Sequence, residues 1–335
     1  MPIVPRTYPV LLCATILAAA PLASCLREPG STRTRVTDLQ AQLEACRKQH
    51  AAQISTAEVE SLRADLHRYS ELVEDEARRH AAVQRVMDRY SQGVCLIHGI
   101  FTLNERRDDG VAPVTDPDGK PLRLEYLGSG FLVSADGYIV TNRHVAEPWW
   151  NNDSVAPLLA GGLEPAFVEL TVTFPEHLPI AVDPRTIRVS SDGVDVAVLV
   201  APVDDVPVLP LSGRDPQELR GQRLMLLGYP TGLAALLARA DPEVASAALA
   251  EARDTTTLIN ALSRRHAITP VITHGTLSEV THRQLIYDAV TTAGGSGGPV
   301  FGPDGEVIGI NFATLRDFQG SNYGVPVRFV RTLLR

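Results

Sequence analysis

Cysteine is scarce: the 335 residues contain four, Cys13, Cys25, Cys46 and Cys95, spaced for neither a zinc site nor a dense disulfide framework. No Lys/Arg-rich run or aromatic-studded basic stretch occurs, and the formal charge is -8. That argues against tracking a phosphate backbone, so nucleic acid is not an expected partner. Proline and glycine are missing from Val36 to Val83, which removes the usual helix breakers from that stretch. The composition that remains, 44% hydrophobic and 21% charged, is that of a globular chain able to bury a sizeable core.

The first 25 residues read as a secretory leader: Arg6, then an apolar run from Val10 to Ala23 that ends in small residues. The run is too short to span a bilayer comfortably as a helix. At its end Leu22-Ala23-Ser24-Cys25 resembles the lipobox of bacterial lipoproteins, in which cleavage precedes the cysteine and lipid is attached to its sulfur. Cys25 is then the expected lipidation site and mature N-terminus. Plain cleavage after Ala18-Ala19-Ala20, which would leave Pro21 after the cut, and an uncleaved anchor are the alternatives. Leu26 stands where many inner-membrane lipoproteins carry Asp, so the expected location is the periplasmic face of the envelope, outer membrane before inner.

Residues 26–92 are expected to form a helical stalk. Val36, Leu39, Leu43 and Cys46 follow a 3-4 rhythm, and after a phase slip so do Val59, Leu62, Leu66, Tyr69 and Val73. A coiled coil that self-associates and a single solvated or domain-packed amphipathic helix both fit this pattern. From residue 93 onward the texture is mainly β, with short apolar runs from Val94–Ile100 to Val307–Phe312 separated by Gly, Pro and Asp. One Ala/Leu-rich stretch, about 231–269, breaks the pattern. Asp241-Pro242-Glu243 supplies it with an N-cap, a first-turn proline and a first-turn acid, so a helical insert is expected. Val327–Leu334 is spaced for a short terminal helix.

Three motifs carry chemistry. Ala293-Gly294-Gly295-Ser296-Gly297-Gly298-Pro299 sets a serine among four glycines before an apolar strand. Aiming two backbone N–H groups at one oxygen requires a tight turn with little side-chain bulk, which glycine allows. A phosphate cradle would want a following Lys-Ser/Thr and a helix, and neither is there. In Gly128–Val145 the Asp136-Gly137 pair joins two apolar runs as a hairpin and delivers His144 at the end of the second. In Asp192-Gly193-Val194-Asp195 and the apolar run after it, Asp195 is a carboxylate headed for burial that needs a partner, and a histidine N–H would serve.

In the order His, Asp, Ser along a β-rich chain, these motifs resemble the trypsin-like serine peptidases of the high-temperature-requirement (HtrA) type over roughly residues 93–330. The resemblance implies a double six-stranded β-barrel with the site between the barrels, Ser296 as nucleophile, His144 as general base and then acid, and Asp195 as its orienter. Gly294 and Ser296 are implied as oxyanion N–H donors, with polypeptides as substrates and no metal or organic cofactor. Family geometry places Val290, Thr292, Phe312 and Ala313 around the specificity pocket, which lacks acidic residues and so suits an apolar side chain. Asp288 is expected to be structural.

The chain departs from the family at Gly295, where Asn or Asp is usual, which raises a latent, switchable site as an expectation. No PDZ-like binding module is expected after Arg335. The helical insert is expected to border the cleft and gate it. Two other functions compete: a catalytically silent, membrane-tethered scaffold, and an esterase using the same chemistry.

Overall fold

The computed structural model describes residues 32–49, 56–107, 110–314 and 322–334. The expected leader and Cys25 lie outside the described residues. The chain divides into two compact units, Met1–Ala77 and Arg78–Arg335.

In the first unit, helix α1 spans Thr32–Gln49 and is followed by most of helix α2, Thr56–Asp88. The expected helix from Val36 to Val83 is helical on both sides of residues 50–55, which lie outside the described residues. On α2 the expected apolar seam faces open surroundings: Leu62 and Tyr69 are exposed, and Val59, Leu66 and Val73 are half-buried.

In the second unit the end of α2 is part of the core. Ala82 and Val86 are buried, and Tyr90 stacks on Phe301. The expected domain start at residue 93 therefore falls inside this unit. Strands β1 (Val94–Arg107), β2 (Gly110–Pro113), β3 (Leu124–Leu132), β4 (Tyr138–Thr141), β5 (Glu164–Thr173), β6 (Ile180–Ala181), β7 (Arg188–Val189) and β8 (Ala197–Val200) form one eight-stranded sheet. Its order is β6-β5-β1-β3-β4-β8-β7, with β2 paired to β1. This half was expected to be a closed six-stranded barrel. It is a half-barrel, because the strands ending the order, β6 and β7, are two residues long and do not pair with each other. The expected hairpin turn is present, with Gly137 at φ +81°. A Cβ on Gly137 would sit 1.9 Å from the Ala201 carbonyl oxygen, so only glycine fits.

The second half closes as expected. Strands β9 (Arg223–Gly228), β10 (Val271–Val280), β11 (Leu285–Tyr287), β12 (Pro299–Phe301), β13 (Val307–Thr314) and β14 (Asn322–Pro326) form a barrel in the order β10-β11-β14-β13-β12-β9. The chain then runs into a 3-10 helix, Val327–Thr332, whose Val327 and Val330 are buried.

Two short helices, α3 (Arg143–Ala146) and α4 (Ala156–Ala160), lie in the first half. Three more make up the insert between β9 and β10: α5 (Gly232–Arg239), α6 (Pro242–Glu251) and α7 (Thr255–Ser263). Asp241 caps α6, accepting from the Glu243 N–H, and Asp254 forms a reciprocal capping box with Thr257 on α7. The insert is not a loose flap. Ile259, Leu262 and Leu236 join Leu96, Phe131 and Val198 of the sheet and Leu227 and Ile310 of the barrel in one buried cluster. Each such side chain contributes about 1.5–3 kcal/mol by leaving water. Polar contacts add direction: Thr255 Oγ1 donates to Glu125 on β3, and Thr256 Oγ1 to Glu169 on β5. Between those carboxylates lies buried His98, whose Nε2 is 2.6 Å from Glu125 Oε1.

Candidate active site

Antiparallel pairing of β4 with β8, in register at Thr141 and Ala197, brings the residues just beyond them together. His144 is the second residue of α3, two after Asn142, and Asp195 lies two residues before β8. Asn142 is buried and its Nδ2 donates to the Asp195 carbonyl oxygen (2.8 Å), tying the two segments. Asp195 is only 8% exposed and is satisfied on both oxygens. Its Oδ1 accepts the His144 backbone N–H (2.9 Å), and its Oδ2 lies 2.7 Å from His144 Nδ1. A carboxylate can only accept, so Nδ1 carries the proton and Nε2 keeps its lone pair toward the cleft. The Phe312 ring meets the imidazole edge-on, with centroids 5.8 Å apart.

Ser296 stands in the loop between β11 and β12, and four carbonyl groups of that loop are held by three residues. Ser129 on β3 donates its N–H to the Ser296 carbonyl oxygen (2.8 Å) and its hydroxyl to that of Gly294 (2.7 Å). The Thr231 N–H reaches the Ala293 carbonyl oxygen (2.7 Å), and Asn311 Nδ2 reaches that of Gly295 (2.8 Å). Gly297 at φ +89° could not be replaced: a Cβ there would lie 2.1 Å from the Ser129 carbonyl oxygen. Among the described residues, neither the Gly294 nor the Ser296 N–H donates to another protein group.

His144, Asp195, Gly294, Ser296 and Phe312 line one cleft of about 810 Å³. Among the described residues no hydrogen bond joins Ser296 Oγ to His144, although both border this cleft. Such contacts are often long before substrate binds. The structure thus brings together the sequence-expected trio and both expected N–H donors.

The expected specificity pocket does not form as one pocket. Val290 is 68% exposed and edges a cavity of only about 10 Å³ beside Thr291 and Gly228, room for about one water. Thr292 is exposed and lines neither cavity, and Phe312 belongs to the larger cleft. The side chain of Ala313 lies outside the described residues. Asp288 accepts the Thr276 N–H at 2.5 Å, in keeping with a structural role.

Ser129, Asn311 and Thr231 were missed as site residues. Ser129 had a signal, standing between Gly128 and Gly130 on β3, the first strand of the hairpin that leads to His144. For Asn311 and Thr231 the sequence offers none, because their roles arise from contacts with main-chain carbonyl groups of the nucleophile loop, 16 or more residues away.

The trypsin-like peptidase domain family matches residues 128–310. The chain is 32% identical over 228 residues to a probable periplasmic serine endoprotease DegP-like of Halomonas elongata, covering 67% of this chain and 37% of that protein. It is 28% identical to a protein of the same description from Pseudomonas fulva, covering 62% of this chain and 34% of the relative. It is also 28% identical to the putative serine protease HhoB of Synechocystis, covering 63% and 40% respectively. The chain therefore spans well under half the length of these relatives. A crystal structure of the serine endoprotease from Yersinia pestis aligns with a TM-score of 0.46 at 19% identity, covering 76% of this chain and 65% of that one. Because the domain match runs over more than half of the residues and includes all three side chains of the cleft, this chain belongs to the trypsin-like peptidase family.

Proposed function

We propose that the chain is a serine endopeptidase acting on polypeptides at the periplasmic face of a bacterial envelope. The observation that carries this reading is the two-point grip of Asp195 on His144 in the cleft that Ser296 also lines. In the proposed reaction His144 Nε2 takes the Ser296 hydroxyl proton as Oγ attacks the scissile carbonyl carbon. The oxyanion so formed is received by the N–H groups of Gly294 and Ser296. His144 then gives its proton to the leaving amine as the C–N bond breaks, which leaves an acyl group on Ser296. Water, deprotonated by His144, releases that acyl group and restores the serine. Asp195 keeps the proton on Nδ1 and stabilises the imidazolium at each step.

Phe312 narrows the cleft beside the imidazole, which favours small or medium apolar residues next to the cut and disfavours Lys or Arg. We further propose that residues 26–77 act as a stalk, that its partly exposed seam on α2 mediates self-association, and that lipid on Cys25 anchors the chain to the outer membrane. The periplasmic descriptions of the relatives support the compartment. A fluorophosphonate probe tests the chemistry: the wild type should be labelled at Ser296 and digest casein, and Ser296→Ala should do neither. Labelling without digestion would replace the peptidase with an esterase, and an unlabelled wild type would end the reading. Membrane fractionation of Cys25→Ser tests the anchor, which predicts release into the soluble fraction.

A further inference from the structure

We propose that Asn311 is a positioning residue for the anion pocket, acting through the Gly295 carbonyl group to aim the Ser296 N–H. The inference rests on the serine-peptidase reading above and adds to it a residue outside the trio and outside the nucleophile loop.

In a trans peptide the C=O and N–H of one unit point in opposite directions. The Ser296 N–H belongs to the same peptide plane as the Gly295 carbonyl group, and that oxygen accepts from Asn311 Nδ2 at 2.8 Å and, at a longer 3.2 Å, from the Gly298 N–H within the loop. Fixing the oxygen on one side fixes the N–H on the other, toward the cleft. The orientation of the amide is determined by its neighbours. The Gly295 oxygen can only accept, so the atom facing it is the NH₂ group. On the far side Asn311 Oδ1 takes the Tyr287 hydroxyl (2.7 Å), and a second contact from Nδ2 reaches Thr291 Oγ1 (2.9 Å). Asn311 is 1% exposed, so water does not compete for these bonds.

The same arrangement accounts for glycine at 295. A Cβ there would fall 2.5 Å from Thr291 Oγ1 and 3.4 Å from Asn311 Nδ2, in the space the amide network occupies. The chain gives up a side chain before the serine and holds that peptide from β13 instead. This works against the latent loop expected from Gly295 alone. The Thr231 N–H does the equivalent for the Gly294 donor by holding the Ala293 carbonyl oxygen.

The test compares the full chain with Asn311→Leu, which keeps the approximate volume but removes the donor, and Thr291→Val, which removes only the tether on the amide. Tyr287 retains the Tyr323 carbonyl oxygen as acceptor in both. Preorganised oxyanion donors contribute ~10²–10³ in rate. Asn311→Leu should therefore lower kcat on a peptide substrate by about 10²-fold with KM little changed, and weaken a peptide boronate, which mimics the tetrahedral anion, by a similar factor. Thr291→Val should show a smaller loss in the same direction. Wild-type kcat in Asn311→Leu, or a parallel loss of kcat, substrate affinity and melting temperature, would overturn the role. Should Asn311→Leu fail to fold, Thr291→Val decides: a kcat loss at constant KM supports the role, and wild-type kcat ends it. A wild type that fluorophosphonate does not label would instead bring down the parent reading, and this inference with it.

Discussion

Asp195 holds His144 by main chain and side chain together, one carboxylate oxygen on the backbone N–H and the other on Nδ1. Asn at 195 would present an amide group that cannot accept on both sides, so the imidazole would lose its tautomer preference while the backbone stayed in place. Asp195→Asn should lower kcat by about 10⁴-fold with little change in melting temperature, read from single-turnover kinetics and calorimetry.

The insert is part of the core shared by sheet and barrel. Leu262 on α7 is fully buried in the cluster that joins sheet and barrel. Leu262→Ala should cost about 2–5 kcal/mol in denaturant unfolding. A cost near zero would mean that α7 detaches as a lid, the behaviour expected of a simple gate.

Cys95 is a buried free thiol at the start of β1, and burial pushes its ionisation well above the usual range. The thiolate is the reactive form, so native protein should resist iodoacetamide at Cys95 and react there only after unfolding. Mass spectrometry of the tryptic peptides reads this directly. Rapid labelling in the native state would place Cys95 nearer the surface than described.

Glu251 at the end of α6 is paired with Arg265 and Arg264, which hold its carboxyl down at about 2 from an ordinary 4.5. A depressed folded-state value means that the contribution is complete above the unfolded value and disappears as pH falls through the folded one. Hydrogen exchange in α6 and α7 should therefore rise as pH drops from about 4.5 to about 2. Glu251→Gln should flatten that rise. The group is exposed, so the effect is local, and added salt should weaken it.

Much of this was legible in the residues because the signals were local. Asp136-Gly137 announced the hairpin that carries His144, the four glycines announced the turn at Ser296, and Asp241-Pro242-Glu243 announced the start of α6. Closure of the sheets was less legible, since it depends on edge strands as short as Ile180–Ala181, below the length at which alternation can be read. The specificity pocket was also hard to read: Asn311, which holds the Gly295 carbonyl group, and Phe312, which packs beside His144, are chain neighbours, and the motif does not reveal which does which. The clamps from Thr231 and Asn311 were invisible, and that from Ser129 was only hinted at by its flanking glycines, because each ends on a main-chain carbonyl group 16 or more residues away, and every residue carries such a group.

Residues that act as one catalytic unit lose rate together, so removing either of two partners costs about as much as removing both. The most direct measurement is kcat for Ser296→Ala, His144→Ala and the double variant on one peptide substrate. The account predicts the same residual rate in all three, far below the wild type. Losses that multiply in the double variant, or a His144→Ala protein that keeps its turnover, would contradict it.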